Sequence, residues 1–247
     1  MTRQSERSFS PALVLIPGLL CDQALWKHQI QGLARSADIQ VADTTRQRTL
    51  SEMAAAVLTA APSSFSLAGF SLGSQVALEI MRMSPQRVCR LALLSASRGG
   101  LLPSAAASLR QAVTAIEGGG FEQYLEMVYP LYVTPARAAD LVLKRCFLEM
   151  AHAVGPEAGL RQMRALLPIT APLTDLNQIR CPTVIVGGRE DRRTPPALHE
   201  ALAQEIPGSD LVLVNEAAHF TPLEQPGIVT EVLQHWLTRE ARRTSSD

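Results

Sequence analysis

The chain has 247 residues, and its 23 basic residues balance its 23 acidic residues. A chain of this length can build a core without disulfide or metal staples, and zero net charge gives no attraction to nucleic acid or to an anionic membrane. Apolar residues make up 47% of the chain and charged residues 19%, a globular balance rather than a disordered one. We therefore expect a folded, soluble protein.

The four cysteines are far apart in sequence and contain no Cys-x-x-Cys pair, which argues against a zinc site or a disulfide framework. Free thiols favour the cytoplasm as the location. The apolar stretch 11–21 resembles a signal peptide, but Pro17 and Gly18 interrupt it. No apolar run approaches the ~20 residues that a membrane span requires. We expect a cytoplasmic protein with flexible tails at 1–10 and 241–247.

Short apolar runs recur along the chain and alternate with helical patterns. The apolar runs predict buried strands at 12–16, 39–42, 65–69, 91–94, 183–186 and 211–214. Helical spacing predicts helices at 22–34, 53–60, 72–83, 195–206 and 227–237. Strands that alternate with helices imply parallel strands with crossover helices on both faces. The predicted fold class is α/β, with a mostly parallel sheet of about six to eight strands.

This alternation is interrupted once, in a long central stretch. Apolar residues at helical spacing, such as Leu143 and Phe147, occupy this stretch in place of strand-like runs. Amphipathic helices cannot bury their apolar stripes alone, so we expect them to pack against the end of the sheet as a lid. The sequence predicts a helical cap at 98–170, inserted in a core formed by 11–97 and 171–240.

The segment Gly69-Phe-Ser-Leu-Gly73 matches Gly-x-Ser-x-Gly and joins a predicted strand to a predicted helix. Such a turn holds the serine hydroxyl clear of the sheet at a helix N-terminus, where partial positive charge favours an oxyanion. Glycine fits at both ends because side chains there would collide with the neighbouring strand and helix. The alternative, a glycine-bounded turn without chemistry, fits less well in this strand-turn-helix setting. Ser71 is therefore the candidate nucleophile.

A serine nucleophile needs a base, and the base needs an orienting carboxylate. Of the five histidines, only His219 follows a predicted strand, at the carboxyl edge where open α/β sheets bind ligands. The loop after the fifth predicted strand supplies Asp191, with Glu190 as the reserve, whereas the loop after the fourth contains no carboxylate. Ser71, Asp191 and His219 occur in the nucleophile-acid-base order expected on this sheet.

Four sequence blocks, in this order, resemble the α/β-hydrolase superfamily: 15–22, 69–73, 186–196 and 218–226. Within that superfamily the chain is most similar to small single-domain esterases with a helical cap. The resemblance implies that Ser71 is the nucleophile, Asp191 the orienting acid and His219 the base. It also places the oxyanion hole on the backbone N–H groups of Leu72 and Leu19.

The chain departs from this pattern beside the first oxyanion donor. Many relatives carry His-Gly where this chain has Pro17–Gly18, so the hydrogen bonds that anchor this loop must differ. Relatives also often begin with a strand hairpin, whereas only a short polar tail precedes the first strand here. We therefore expect about six main strands.

The expected reaction is hydrolysis of a small carboxylic ester, thioester or lactone through an acyl-Ser71 intermediate, with no metal or organic cofactor. Two alternatives stay open. The same triad can hydrolyse a carbon–carbon bond or act as a lyase, and a hydrolase-fold protein can bind a ligand with negligible turnover. Cysteine catalysis at Cys21 is a weak third idea, because no histidine is placed by spacing to activate it.

Leucine, methionine and alanine in the predicted lid indicate a mostly apolar pocket and a small-molecule substrate with an apolar acyl group. Arg98, Arg161 and Arg164 are candidates for binding a carboxylate, although a solvated face is the more frequent role of such arginines. The same applies to Arg192 and Arg193. We expect no nucleic-acid partner and no membrane span, and the sequence leaves a homodimer open.

Overall fold

The computed structural model describes residues 11–101, 103–169 and 174–239. The tails predicted at 1–10 and 241–247 lie outside these ranges. Within them, no helix combines the length and the hydropathy that a membrane crossing requires.

Six strands form one sheet in the described part of the chain: β1 Ala12–Ile16, β2 Asp38–Val41, β3 Phe65–Phe70, β4 Val88–Leu94, β5 Thr183–Gly188 and β6 Asp210–Val214. Their order is β2-β1-β3-β4-β5-β6, and all five pairings are parallel. The predicted α/β fold with a parallel sheet is confirmed. Only β4 differs appreciably from its prediction, because Cys89 and Arg90 interrupt the apolar run while the backbone still pairs with β3.

The α-helices are α1 Lys27–Leu33, α2 Leu50–Ala60, α3 Leu72–Met83, α4 Pro103–Glu117, α5 Phe121–Val128, α6 Leu141–Leu166, α7 Pro196–Glu205, α8 Thr221–Glu224 and α9 Pro226–Thr238. Successive residues of a strand point to opposite faces of a sheet. Accordingly, Leu13 and Leu15 of β1 belong to a core under α1 and α9, whereas Val14 and Ile16 belong to a second core under α2 and α3.

Helices α4, α5 and α6 follow β4 and precede β5, so the predicted helical insertion is confirmed. Their apolar residues, including Leu109 and Phe147, join the same core as Phe70 at the end of β3. Helix α6 is kinked at Gly155, whose φ of 77° suits a residue without a Cβ. The division into core and cap at 97/98 and 170/171 stays a prediction, and its second boundary lies outside the described residues.

Candidate active site

Ser71 occupies a strained turn between β3 and α3. Its φ of 52° and ψ of −112° are unusual for a residue with a side chain. A Cβ on Gly69 would lie 2.3 Å from the Gly73 carbonyl oxygen, and a Cβ on Gly73 would lie 2.2 Å from the Ile16 carbonyl oxygen. The two glycines therefore let helix and strands approach closely. The Ser71 N–H donates to the Leu94 carbonyl at 2.9 Å, which ties the turn to β4.

The structure brings Ser71, His219 and Asp191 together. His219 Nε2 lies 2.9 Å from Ser71 Oγ, and His219 Nδ1 lies 2.8 Å from Asp191 Oδ2. An ionised carboxylate only accepts hydrogen bonds, so Nδ1–H donates to Asp191, and Nε2 is left to accept from the serine hydroxyl. In this arrangement the imidazole can remove the hydroxyl proton.

Asp191 is held ionised in a buried position. Its carboxylate accepts hydrogen bonds from the Arg193 N–H at 2.7 Å, the Thr194 N–H at 2.9 Å and the Thr194 hydroxyl at 2.7 Å. Burial raises the pKa of Asp191, but the charge and hydrogen bond of His219 and the bonds from Thr194 outweigh it and lower this pKa to about 2. The reserve candidate, Glu190, is exposed and does not join the array.

Two side chains that the sequence analysis did not select hold the loop of His219. Ser95 Oγ donates to the His219 carbonyl at 2.7 Å. The buried Glu224 carboxylate accepts from the Ala218 N–H at 2.9 Å and from the Thr134 N–H at 2.7 Å. Glu224 thus links the histidine loop to the helical insertion. Its position within the block 218–226 is the one sequence signal that pointed to it.

The imidazole of His219 is enclosed by aromatic rings. The Phe70 ring lies 5.3 Å from it and is tilted, and the Tyr132 ring lies 5.4 Å from it and is stacked, with an interplanar angle of 24°. His219 is only 4% exposed. These contacts restrict rotation of the ring and keep it between Ser71 and Asp191.

The loop after β1 is anchored by a side chain from the insertion. Gln162 of α6 is fully buried, and its Oε1 accepts from the Leu20 N–H at 3.0 Å. Its Nε2 donates to the Thr44 carbonyl at 3.4 Å. In the described part of the chain, the N–H groups of Leu19 and Leu72 donate to no acceptor. The sequence analysis did not select Gln162, whose signal is a polar residue at a buried helical position.

A cavity of about 100 Å³ opens onto Ser71 and His219. Its apolar lining comes from both core and insertion: Leu19, Leu72, Leu101, Leu109, Leu166 and Ile169. The cavity therefore has the mostly apolar character expected for a small-molecule site.

The arginines that the sequence analysis named differ in their partners and in whether they line the cavity. Arg98 forms an ion pair with Glu205 at 2.6 Å, Arg161 donates to the Thr45 carbonyl at 2.9 Å, and Arg164 pairs with Glu117. None of these three lines the Ser71 cavity. By contrast, Arg193 does line it, although the sequence placed it with the solvated arginines.

Cys21 is unsuited to act as a nucleophile. The thiol is buried, and desolvation strongly raises its pKa, so that it stays protonated at neutral pH. Among the described residues, no group of three or more histidine, cysteine, aspartate or glutamate side chains is arranged to hold a metal ion.

Known proteins resemble this chain in sequence and in fold. The sequence model of the "Alpha/beta hydrolase family" matches residues 13–232. The chain is 27% identical over 172 residues to "Putative carbamate hydrolase RutD" of Klebsiella pneumoniae, a match that covers 68% of this chain and 64% of that one.

Two further matches cover most of both chains. The chain is 22% identical to the pimeloyl-[acyl-carrier protein] methyl ester esterase of Nitrosomonas europaea, over 87% of this chain and 91% of that one. The solved structure of a thermophilic esterase from Thermogutta terrifontis has a TM-score of 0.82 at 23% identity, and covers 93% of this chain and 90% of that one.

Proposed function

Because this chain belongs to the alpha/beta hydrolase family and is a hydrolase of that fold, we propose that it cleaves small carboxylic esters, thioesters or lactones through an acyl intermediate on Ser71. One observation carries the proposal. Ser71, His219 and Asp191 form a continuous hydrogen-bonded array, with distances of 2.9 and 2.8 Å, beside a mostly apolar cavity. Helices α4 to α6 would form the cap over this site.

In the first half-reaction, Ser71 Oγ attacks the substrate carbonyl while His219 Nε2 takes the hydroxyl proton. The negative charge on the carbonyl oxygen is stabilised by the N–H groups of Leu72 and Leu19. Collapse of the tetrahedral intermediate breaks the bond to the alcohol, which leaves with the proton from His219. Water then attacks the acyl group with His219 again as base, and the carboxylic acid and free Ser71 are released. The chemistry uses neither a metal nor an organic cofactor.

The hydrogen bond from Leu20 to Gln162 supports the assignment of the first oxyanion donor. It satisfies the N–H of Leu20, whereas the preceding N–H, that of Leu19, has no acceptor among the described residues. Leu19 also lines the Ser71 cavity. A donor that has no protein partner and faces a reacting carbonyl can bind the developing charge without first breaking another bond.

The relatives favour acyl-group hydrolysis over the other chemistries. The names carbamate hydrolase and methyl ester esterase both describe cleavage at an acyl carbon. The apolar cavity lining suits an apolar acyl group on the substrate.

A fluorophosphonate probe tests the proposal directly, because it reacts with an activated serine. We expect intact-mass analysis to show one adduct, and peptide mapping to place it on Ser71. Ser71→Ala should remove the adduct and leave the melting temperature near that of the wild type. Absence of labelling in the folded wild-type protein, together with no turnover of short 4-nitrophenyl esters, would favour the binding-protein alternative.

A further inference from the structure

Arg193 is a cation at the wall of the Ser71 cavity, and it has no acidic partner among the described residues. None of the ion pairs formed among the described residues includes its guanidinium group. Its side chain also lines a second cavity, of about 410 Å³, between α4 and α5. Arg98 and Arg164, by contrast, are each paired with a glutamate.

The charge of Arg193 is not neutralised within the cavities. Of the described residues that line either one, Arg193 is the only arginine, lysine, aspartate or glutamate. The nearby Asp191 carboxylate is fully buried and already accepts hydrogen bonds from His219, Thr194 and the Arg193 N–H. A fixed positive charge at a cavity with apolar walls attracts anions.

The guanidinium group also packs on a ring that contacts His219. Its Cζ lies 5.7 Å from the centroid of the Tyr132 ring, and the same ring stacks on His219 at 5.4 Å. Tyr132 is buried, and desolvation raises the pKa of its phenol, so that this neutral ring offers no counter-charge to Arg193. The stacking restricts the arginine before a ligand arrives, which lowers the entropy lost on binding.

We propose that Arg193 recognises a carboxylate on the substrate, and that the preferred substrates are esters bearing a second, ionised carboxyl group. This inference rests on the proposed ester hydrolysis at Ser71. The planar guanidinium fork can donate two parallel hydrogen bonds to a carboxylate, and it keeps its charge at every relevant pH. The carboxylate can belong either to the acyl part or to the alcohol part of the ester.

Two matched substrate pairs test whether the recognised carboxylate belongs to the acyl part or to the alcohol part of the ester. For the acyl part, monoethyl adipate is compared with its carboxamide isostere, ethyl 5-carbamoylpentanoate. For the alcohol part, 4-carboxyphenyl butyrate is compared with 4-carbamoylphenyl butyrate. Each pair differs in charge but hardly in size. We expect kcat/KM to favour the acid over the amide by about tenfold in at least one pair, the value of one charge-assisted hydrogen bond.

The variants assign that preference to one side chain. In Arg193→Gln, and in Arg193→Met as a second uncharged variant that can still pack on Tyr132, the acid-to-amide ratio should fall about tenfold. Arg193→Lys keeps the charge and should retain part of the ratio. Arg192→Gln is the matched control, because Arg192 is the exposed neighbour that lines neither cavity, and its ratio should equal that of the wild type.

The outcomes separate this inference from the proposed function. Suppose that the wild-type protein cleaves the ester bond of the carboxamide-bearing substrates but shows no preference for the carboxylate-bearing ester in either pair. The Arg193 assignment is then overturned, and ester hydrolysis stands. A preference that persists in both uncharged variants also overturns it. If no ester in either pair is turned over and Ser71 is not labelled, the proposed function itself fails, and the inference fails with it.

Discussion

Two parts of the chain build the candidate site with different kinds of interaction. The core supplies Ser71, Asp191 and His219 from the ends of β3, β5 and β6, and a carboxylate organises their hydrogen bonds. The helical insertion contributes Gln162, which anchors the loop of the proposed oxyanion donor through a neutral amide. The core half of the site, formed by Ser71, Asp191 and His219, depends on the sheet. The insertion half, formed by Gln162 and the loop that it anchors, depends on how α6 packs over the sheet. Changes at Gln162 should therefore alter oxyanion stabilisation while leaving the hydrogen bonds of Ser71, Asp191 and His219 intact.

The largest effect is expected from removing the proposed nucleophile, which belongs to the core half. Ser71→Ala should lower kcat for 4-nitrophenyl butyrate by about a millionfold, close to the background rate, because no acyl-enzyme can form. Ser97→Ala is the matched control, since Ser97 lines the same cavity without joining the array. Comparable loss of activity in the control would contradict the assignment of Ser71.

A smaller loss of activity is expected when the proposed orienting acid is neutralised. Asp191→Asn should lower kcat by about ten-thousandfold, because the amide can stabilise the wrong tautomer of His219 and does not balance the imidazolium charge. The control is Glu190→Gln, which changes the exposed neighbouring carboxylate. Initial rates near neutral pH measure both variants. If Glu190→Gln proves the more damaging change, Asp191 is not the acid.

The insertion half should show a more moderate effect, confined mainly to kcat. Gln162→Leu removes the acceptor of the Leu20 N–H, and misplacement of the adjacent donor should cost about ten- to a hundredfold in kcat with little change in KM. Thr44→Val serves as the control, because it removes a partner from the other end of the Gln162 amide. A similar loss of kcat in Thr44→Val would indicate general destabilisation rather than positioning.

The smallest effect concerns a second buried histidine in the core half. His199 Nε2 accepts from the Ala96 N–H at 3.1 Å, next to Ser95, which holds the His219 carbonyl. Burial lowers the pKa of His199 to about 4, with Asp191 acting in the opposite direction and His219 in the same direction as burial. His199 is therefore neutral in the folded protein at neutral pH.

This lowered pKa predicts how stability depends on pH. Between pH 6.5 and about 4, the unfolded chain holds a proton on His199 that the folded chain does not. The contribution of His199 to the free energy of unfolding is complete above pH 6.5. It decreases as the pH is lowered from 6.5 to about 4, by at most about 1.4 kcal/mol per pH unit. Urea unfolding at pH 7, 6 and 5 should show a shallower dependence in His199→Gln, which keeps an acceptor for Ala96. An unchanged slope would contradict the prediction.

Much of the fold was predictable because its signals are local. Continuous apolar runs mark the buried strands, and the order of strands and helices determines that the sheet is parallel. The glycines at 69 and 73 indicated the tight turn, and placement after strands selected Asp191 and His219. These residues converge because the carboxyl ends of parallel strands share one edge of the sheet. Their catalytic roles stay a prediction.

The surroundings of Gln162 and Arg193 depended on tertiary structure. The local pattern does not show what Gln162 binds, and it does not distinguish Arg193 from its exposed neighbour Arg192. Their environments arise from contacts between segments distant in sequence, as in the hydrogen bond between Leu20 and Gln162. The sequence by itself determined the sheet and the strand ends that carry the array. Only the packing of the insertion on the core decided which polar side chains lie at the loop after β1 and at the cavity wall, because the surroundings of a side chain depend on what lies across the interface.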